Sequence, residues 1–177
     1  MNPRSTLSKE VQSRLAAGES KSDIYTALKT KFPARSMERS LAQWPLPAVK
    51  KQTRSMNVPI IIIAVFFALL TVFSAAPVIS SLTPGQIIYL FIILMIQLYT
   101  VYGVIHCNLI GYMLLILMSL RNILMILQAG ISDPKLGMLL AMSAAAILLS
   151  VLQKRKLFPN TSWLLRHKRD SDGNPIF

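Results

Sequence analysis

Groups able to do covalent or acid–base chemistry are scarce in this chain, which has two histidines (His106 and His167), one cysteine (Cys107) and seven carboxylates. Every carboxylate falls in a polar end or a loop, so no nucleophile with its base, no metal-spaced His and Cys set and no glycine-rich phosphate loop can be assembled. The chain is expected to be non-enzymatic and to carry no cofactor and no metal. Cys107 cannot form an internal disulfide, and its apolar flanks predict a buried, inert thiol. Met138 and Met142 offer thioethers to Cu(I), but methionine is also an ordinary gap-filling residue, and so few Cys and His weigh against copper. The 170–174 segment mimics the opening of a calcium loop. It lacks the bidentate Glu that such a loop requires, so it reads as an Asp-Gly turn.

The polar residues of greater interest lie inside a long apolar stretch: Gln97, Ser119, Arg121 and Asn122. Asn108, Tyr112, Leu115, Ser119 and Asn122 recur at i, i+4, i+7, i+11 and i+14, which sets their polar members along one side of a helix. Gln97 and Thr100 offer similar groups on the preceding segment. In lipid such groups bond between helices, so this side is expected to face a bundle interior. A cation at the depth of Arg121 costs at least ~2.5 kcal/mol unless it is hydrated or paired. Its candidate partners are Asp133, Gln97, a tyrosine oxygen, a lipid phosphate reached by snorkelling, or a carboxylate on another protein. A plain snorkelling residue and an anion, lipid or partner-helix site are both open readings. Gly137, Ala141 and Ala145 repeat every four residues and form a small-residue ridge, suited to packing within the bundle or to dimerisation.

The elements that position these residues follow from hydropathy. The chain is 53% hydrophobic, and Asp133 is the only acidic side chain between Glu38 and Asp170, so the solvent of that region must be lipid. Measured against the ~20 apolar residues needed to cross a bilayer, four spans are predicted at about 58–80, 87–105, 109–128 and 136–152. Pro84-Gly85 marks one turn and His106-Cys107-Asn108 another, while Gly130, Asp133 and Pro134 mark a loop at 129–135. The expected fold is an all-α integral membrane protein, a four-helix transmembrane bundle preceded by a small cytoplasmic helical module at 1–49 and a basic juxtamembrane linker at 50–57. A basic cytoplasmic tail follows at 153–177.

Charge supplies the orientation. Of 19 Lys and Arg, all but Arg121 and Lys135 lie in residues 1–56 and 153–177. By the positive-inside rule both ends then face the cytoplasm, as an even number of spans requires, and a bacterial inner membrane is the expected location. The first 56 residues are too polar for a cleaved signal peptide, so the first apolar segment is expected to act as its own membrane signal. Lys50, Lys51 and Arg54 before the first span, and Lys154, Arg155 and Lys156 after the last, are candidate lipid-headgroup contacts as well as ordinary topology signals. Trp44 and Trp163 read as interfacial anchors. Asn160-Thr161-Ser162 is a glycosylation sequon, which a cytoplasmic tail would leave unmodified.

In the N-terminal segment Leu7, Val11 and Leu15 share a helix face, Gly18 is a natural stop, and Ser20 with Asp23 starts a second helix carrying Ile24, Tyr25 and Leu28 inward. A third short helix is predicted at 36–43. Residues 14–28 have the helix, glycine turn, serine cap, helix layout of bacterial helix-turn-helix modules. Asp23, Thr26, Lys29 and Lys31 are poor readers of base edges, which favours a plain helical hairpin. The function expected from sequence is that of an accessory or docking subunit, acting through this module and through intramembrane helix faces on another membrane or cytoplasmic protein or on a second copy. The alternatives are a small transporter or channel using the polar residues of the second and third spans, and a membrane-tethered DNA binder.

Overall fold

Helix α1 (Pro3–Ala16) stops where Gly18 takes φ +88°, a left-handed turn that glycine adopts at no steric cost, and the Glu19 N–H closes back onto the Arg14 carbonyl at 3.1 Å. Helix α2 (Lys21–Leu28) begins with Ser20, whose hydroxyl oxygen accepts from the Asp23 N–H at 3.2 Å. Helix α3 (Ala34–Gln43) follows Pro33, and α4 (Pro47–Gln52) has Pro47 in its first turn. The computed structural model describes residues 3–129, 133–162, 167–169, 171 and 175–176. Trp163, Gly130 and, apart from Ser171, the 170–174 turn lie outside these.

Four longer helices follow: α5 (Arg54–Ala75), α6 (Pro84–Ile105), α7 (Leu109–Ala129) and α8 (Pro134–Leu157). All four are long and apolar enough to cross a membrane, and among the described residues the protein is helical with only isolated bridges in its tail. Their boundaries depart from the sequence reading in several places: α6 already begins at Pro84, so Pro84-Gly85 opens the helix where a turn was expected, and α8 begins at Pro134. The α5 helix ends five residues early, because Pro77 lacks an N–H and its ring would collide with the preceding turn, so the chain tightens into a 3-10 turn at Ala76–Ser81. At its other end α5 starts at Arg54 and takes up the second half of the expected linker, while Lys50, Lys51 and Gln52 end α4 and Thr53 caps it. The α8 helix continues to Leu157, where Lys154, Arg155 and Lys156 complement the negative end of the helix dipole.

The chain divides into two compact units, residues 1–54 with 154–177, and residues 55–153. In the first, α1, α2 and α3 bury Leu7, Val11, Leu15, Ile24, Leu28, Met37 and Leu41 together, with Tyr25, Phe32 and Trp44 packed against them. At roughly 1.5–3 kcal/mol per buried side chain, this core holds three short helices that would not persist singly. Leu7, Val11, Leu15, Ile24 and Leu28, which give the module its docking role in the sequence reading by supporting its surface, are therefore its own core. Its tail adds antiparallel bridges between Thr161 and His167 and between Arg169 and Pro175.

In the second unit the turn between α6 and α7 is the tightest point. Cys107 takes φ 56°, the Asn108 N–H donates to the Gly103 carbonyl at 2.7 Å, and the Asn108 side-chain oxygen caps α7 by accepting from the Ile110 N–H at 2.9 Å. Large apolar side chains cover the outside of this unit, including Ile62, Phe73, Ile88, Phe91, Leu124, Met138 and Leu148, all more than half exposed. Water would penalise such a surface, and hydrocarbon would not.

Candidate functional site

Helices α5, α6 and α7 enclose an open cleft of about 430 Å³ whose wall carries most of the unit's polar side chains near the α5–α6 connection. The α7 helix contributes Arg121 and Asn122, α6 contributes Gln86, Tyr89 and Gln97, and α5 contributes Thr71 and Ser74. Each is held by its helix. Thr71 donates to the Phe67 carbonyl at 3.1 Å and accepts from Gln97 Nε2 at 2.7 Å, which ties α5 to α6. Gln86 completes a capping box with Thr83, accepting from the Thr83 N–H at 2.9 Å, and so fixes the start of α6. Gln97 is 9% exposed, and among the described residues its Oε1 has no hydrogen-bond partner.

Arg121 Nη2 lies 3.5 Å from the Tyr89 hydroxyl, the outer limit of a hydrogen bond. No carboxylate reaches it among the described residues, where the ion pairs are Arg14 with Glu10 and Glu19, and Arg169 with Glu38. Asp133, the sole carboxylate of the 55–153 unit, is used locally, since its Oδ1 accepts from the Lys135 N–H at 2.8 Å at the start of α8. Of the partners considered from sequence, a tyrosine oxygen is the one the fold supplies. A guanidinium, three amides and several hydroxyls can bind and orient an oxygen-bearing group, which is the chemistry of holding.

Comparison with family models, curated proteins and solved structures finds no match. The functional reading therefore rests on the geometry of the site.

Further toward the other ends of α5 and α7 is a second polar node. Asn57 Nδ2 donates to the Val104 carbonyl at 2.8 Å, and Asn57 Oδ1 accepts from the Tyr112 hydroxyl at 2.6 Å. Gln153, fully buried on α8, reaches the same phenol. Between the node and the cleft the expected polar side of α7 does face inward, with Asn108, Tyr112, Leu115 and Ser119 all buried. On α8, Ser143, Ala146, Ser150 and Gln153 are fully buried. In the row Gly137, Ala141 and Ala145, expected to serve packing within the bundle or dimerisation, Ala141 is exposed and the other two are half-buried. A Cβ added at Gly137 would meet nothing within 4 Å. Ser143, Ala146 and Ser150 are just as small and form a fully buried row.

In the first unit, Lys50, Lys51, Arg54, Arg155 and Lys156 are exposed, while Lys154 is turned back to donate to the Thr161 carbonyl. Thr26, Lys29 and Lys31 are also exposed on or just after α2. Lys21 is buried and donates to the Leu41 carbonyl at 2.8 Å, and burial lowers its pKa to about 8. It lines a small cavity of about 110 Å³ together with His167, whose pKa is lowered to about 4, first by burial and then by the charge of Lys21, against a smaller opposing effect of the Ile176 backbone.

Sequence reasoning missed Asn57, Thr71, Tyr89 and Lys21. An asparagine at the mouth of an apolar run was a signal for Asn57. Tyr89 and Thr71 carry no pattern of their own, because their roles depend on which helix faces come together.

Proposed function

We propose that this chain is a non-enzymatic, multi-pass membrane accessory protein that docks another membrane component at the Arg121 cleft and displays its N-terminal helical module to a cytoplasmic partner. The observation that carries this reading is Arg121 itself, a cation on the wall of an open cleft among hydrogen-bonding side chains, with no carboxylate among the described residues to neutralise it. Leaving such a group unpaired in an apolar surrounding is costly, so the site is completed by a group from outside the chain. The apolar exterior of the 55–153 unit supports a bilayer location, and the basic residues crowded into both ends support cytoplasmic termini, as in a bacterial inner membrane. The module, with its core already filled, suits docking as a preformed unit whose exposed surface is basic.

The test places a photoreactive residue at Leu90, which lines the cleft. Irradiation in native membranes yields a discrete adduct if the cleft is a docking site. Absence of any adduct removes the proposal.

A second reading, a small transporter or channel, is favoured by one observation. Ser119, Ser143 and Ser150 are fully buried, and among the described residues their hydroxyls have no hydrogen-bond partner. Buried hydroxyls of this kind are commonly satisfied by water, and a hydrated row joining the Asn57 node to the cleft is what a path requires. Flux in liposomes that disappears in Arg121→Leu supports this reading over docking.

A further inference from the structure

We propose that the Arg121 cleft is the headgroup site of an anionic phospholipid, with one acyl chain laid in the groove beside it. This inference rests on the reading of the cleft as a docking site. It names the occupant.

The cleft does not stand alone. A second groove of about 190 Å³ shares Thr71, Ala75 and Leu90 with it and continues along Val72, Ala76, Ile79 and Leu94, presenting only apolar surface. One occupant thus meets a cation and hydrogen-bonding groups at one end and a dry apolar track at the other. A helix, about 10–12 Å across with its side chains, is too wide for a track of that volume, whereas a single hydrocarbon chain fits it. A phospholipid carries both kinds of group in one molecule.

Height agrees with this. Tyr89 lies five residues beyond Pro84 at the start of α6, which at 1.5 Å per residue is roughly 7.5 Å from that end. The guanidinium that meets it is within reach of lipid phosphates in the leaflet on that side, and the Tyr89 hydroxyl adds a second donor. Asn122, next to Arg121 on the cleft wall, carries an amide able to accept from a headgroup hydroxyl. A zwitterionic headgroup would bring its cation beside Arg121, and the one carboxylate that could offset it, Asp133, is engaged at the start of α8. Net negative headgroups bearing hydroxyls, such as phosphoglycerol, are favoured.

The experiment is native mass spectrometry of the full-length protein in detergent with equal amounts of phosphatidylglycerol and phosphatidylcholine. Phosphatidylglycerol is retained preferentially. The preference falls roughly tenfold in Arg121→Gln, returns in Arg121→Lys, and falls by a smaller factor in Tyr89→Phe, which removes one hydroxyl and leaves the fold intact. Ala76→Trp, which fills the groove, weakens retention of long-chain phosphatidylglycerol and spares a short-chain form. Equal retention of the two lipids by the unsubstituted protein, or a preference unchanged in Arg121→Gln, overturns the inference. A Leu90 photoadduct with protein but not with lipid also overturns it while leaving the docking reading intact, and no adduct of either kind overturns both.

Discussion

Gly103 and Gly111 face each other across the α6–α7 hairpin so closely that a Cβ built on Gly103 would lie 2.7 Å from the Cα of Gly111. The hairpin depends on that approach, because the turn between the two helices spans only His106 to Asn108. Substituting either glycine by alanine forces the backbones apart and is expected to destabilise the apolar unit by about 1–3 kcal/mol. Thermal unfolding of the detergent-solubilised variants measures this, with Gly137→Ala as the contrast. Position 137 has open space, and the gain in helix propensity there is expected to leave stability unchanged or raised by up to ~1 kcal/mol.

The Tyr112 hydroxyl satisfies Asn57 Oδ1 inside the same unit. Tyr112→Phe leaves that oxygen unpaired and costs about 1–3 kcal/mol. Adding Asn57→Leu removes the orphaned acceptor, so the double variant is expected to lose less than the sum of the two single losses in a double-mutant cycle. Strict additivity would show that the two groups do not interact.

The hairpin and the module show how far the sequence could be read. A run of apolar residues with one internal acid identifies the four long helices, and His106-Cys107-Asn108 marks the hairpin, because length and turn chemistry are local properties. The filled core of α1, α2 and α3 follows from the spacing of Leu7, Val11 and Leu15 and the Ser20 cap for the same reason. The cleft was only partly legible. Arg121, Gln97 and Asn122 stand out as polar residues among apolar ones, but their meeting with Tyr89 and Thr71 depends on the rotation of each helix, which an almost uniformly apolar sequence does not encode as a periodic stripe. That Ser143, Ala146 and Ser150 form the fully buried small-residue row of α8 was illegible for that reason too, since Gly137, Ala141 and Ala145 offer a second such row.

Acid is expected to loosen the unit formed by the two ends of the chain. His167 in the folded state takes up a proton only near pH 4, while in the unfolded chain it does so near 6.5, so stability is lost as pH falls from about 6.5 to about 4 and then levels off. Lys21 acts in the same direction at higher pH. Its folded value of about 8 lies below its ordinary 10.5, so stability rises as pH increases between those values. Urea unfolding followed by Trp44 fluorescence in a Trp163→Phe background, repeated across pH, reads both. His167→Gln is expected to flatten the acid limb alone, and a limb unchanged by that substitution would assign the effect elsewhere.

The module core is expected to be the most sensitive part of the N-terminal segment. Leu28 is fully buried, and Leu28→Ala removes its packing at a cost of about 2–5 kcal/mol, enough to unfold a bundle of this size. Limited proteolysis of the full chain checks this, with rapid cleavage within residues 3–43 expected in the variant. The exposed Thr26→Ala should be cut at the rate of the unsubstituted protein.

The proposed docking at the cleft would depend on a single positive charge, and the most direct measurement compares photoadduct yield from Leu90 in native membranes between the unsubstituted protein, Arg121→Gln and Lys135→Gln. Yield is expected to fall roughly tenfold when Arg121 loses its charge and to hold steady when Lys135 does. Equal yields in all three, or equal losses in the two variants, would contradict the account.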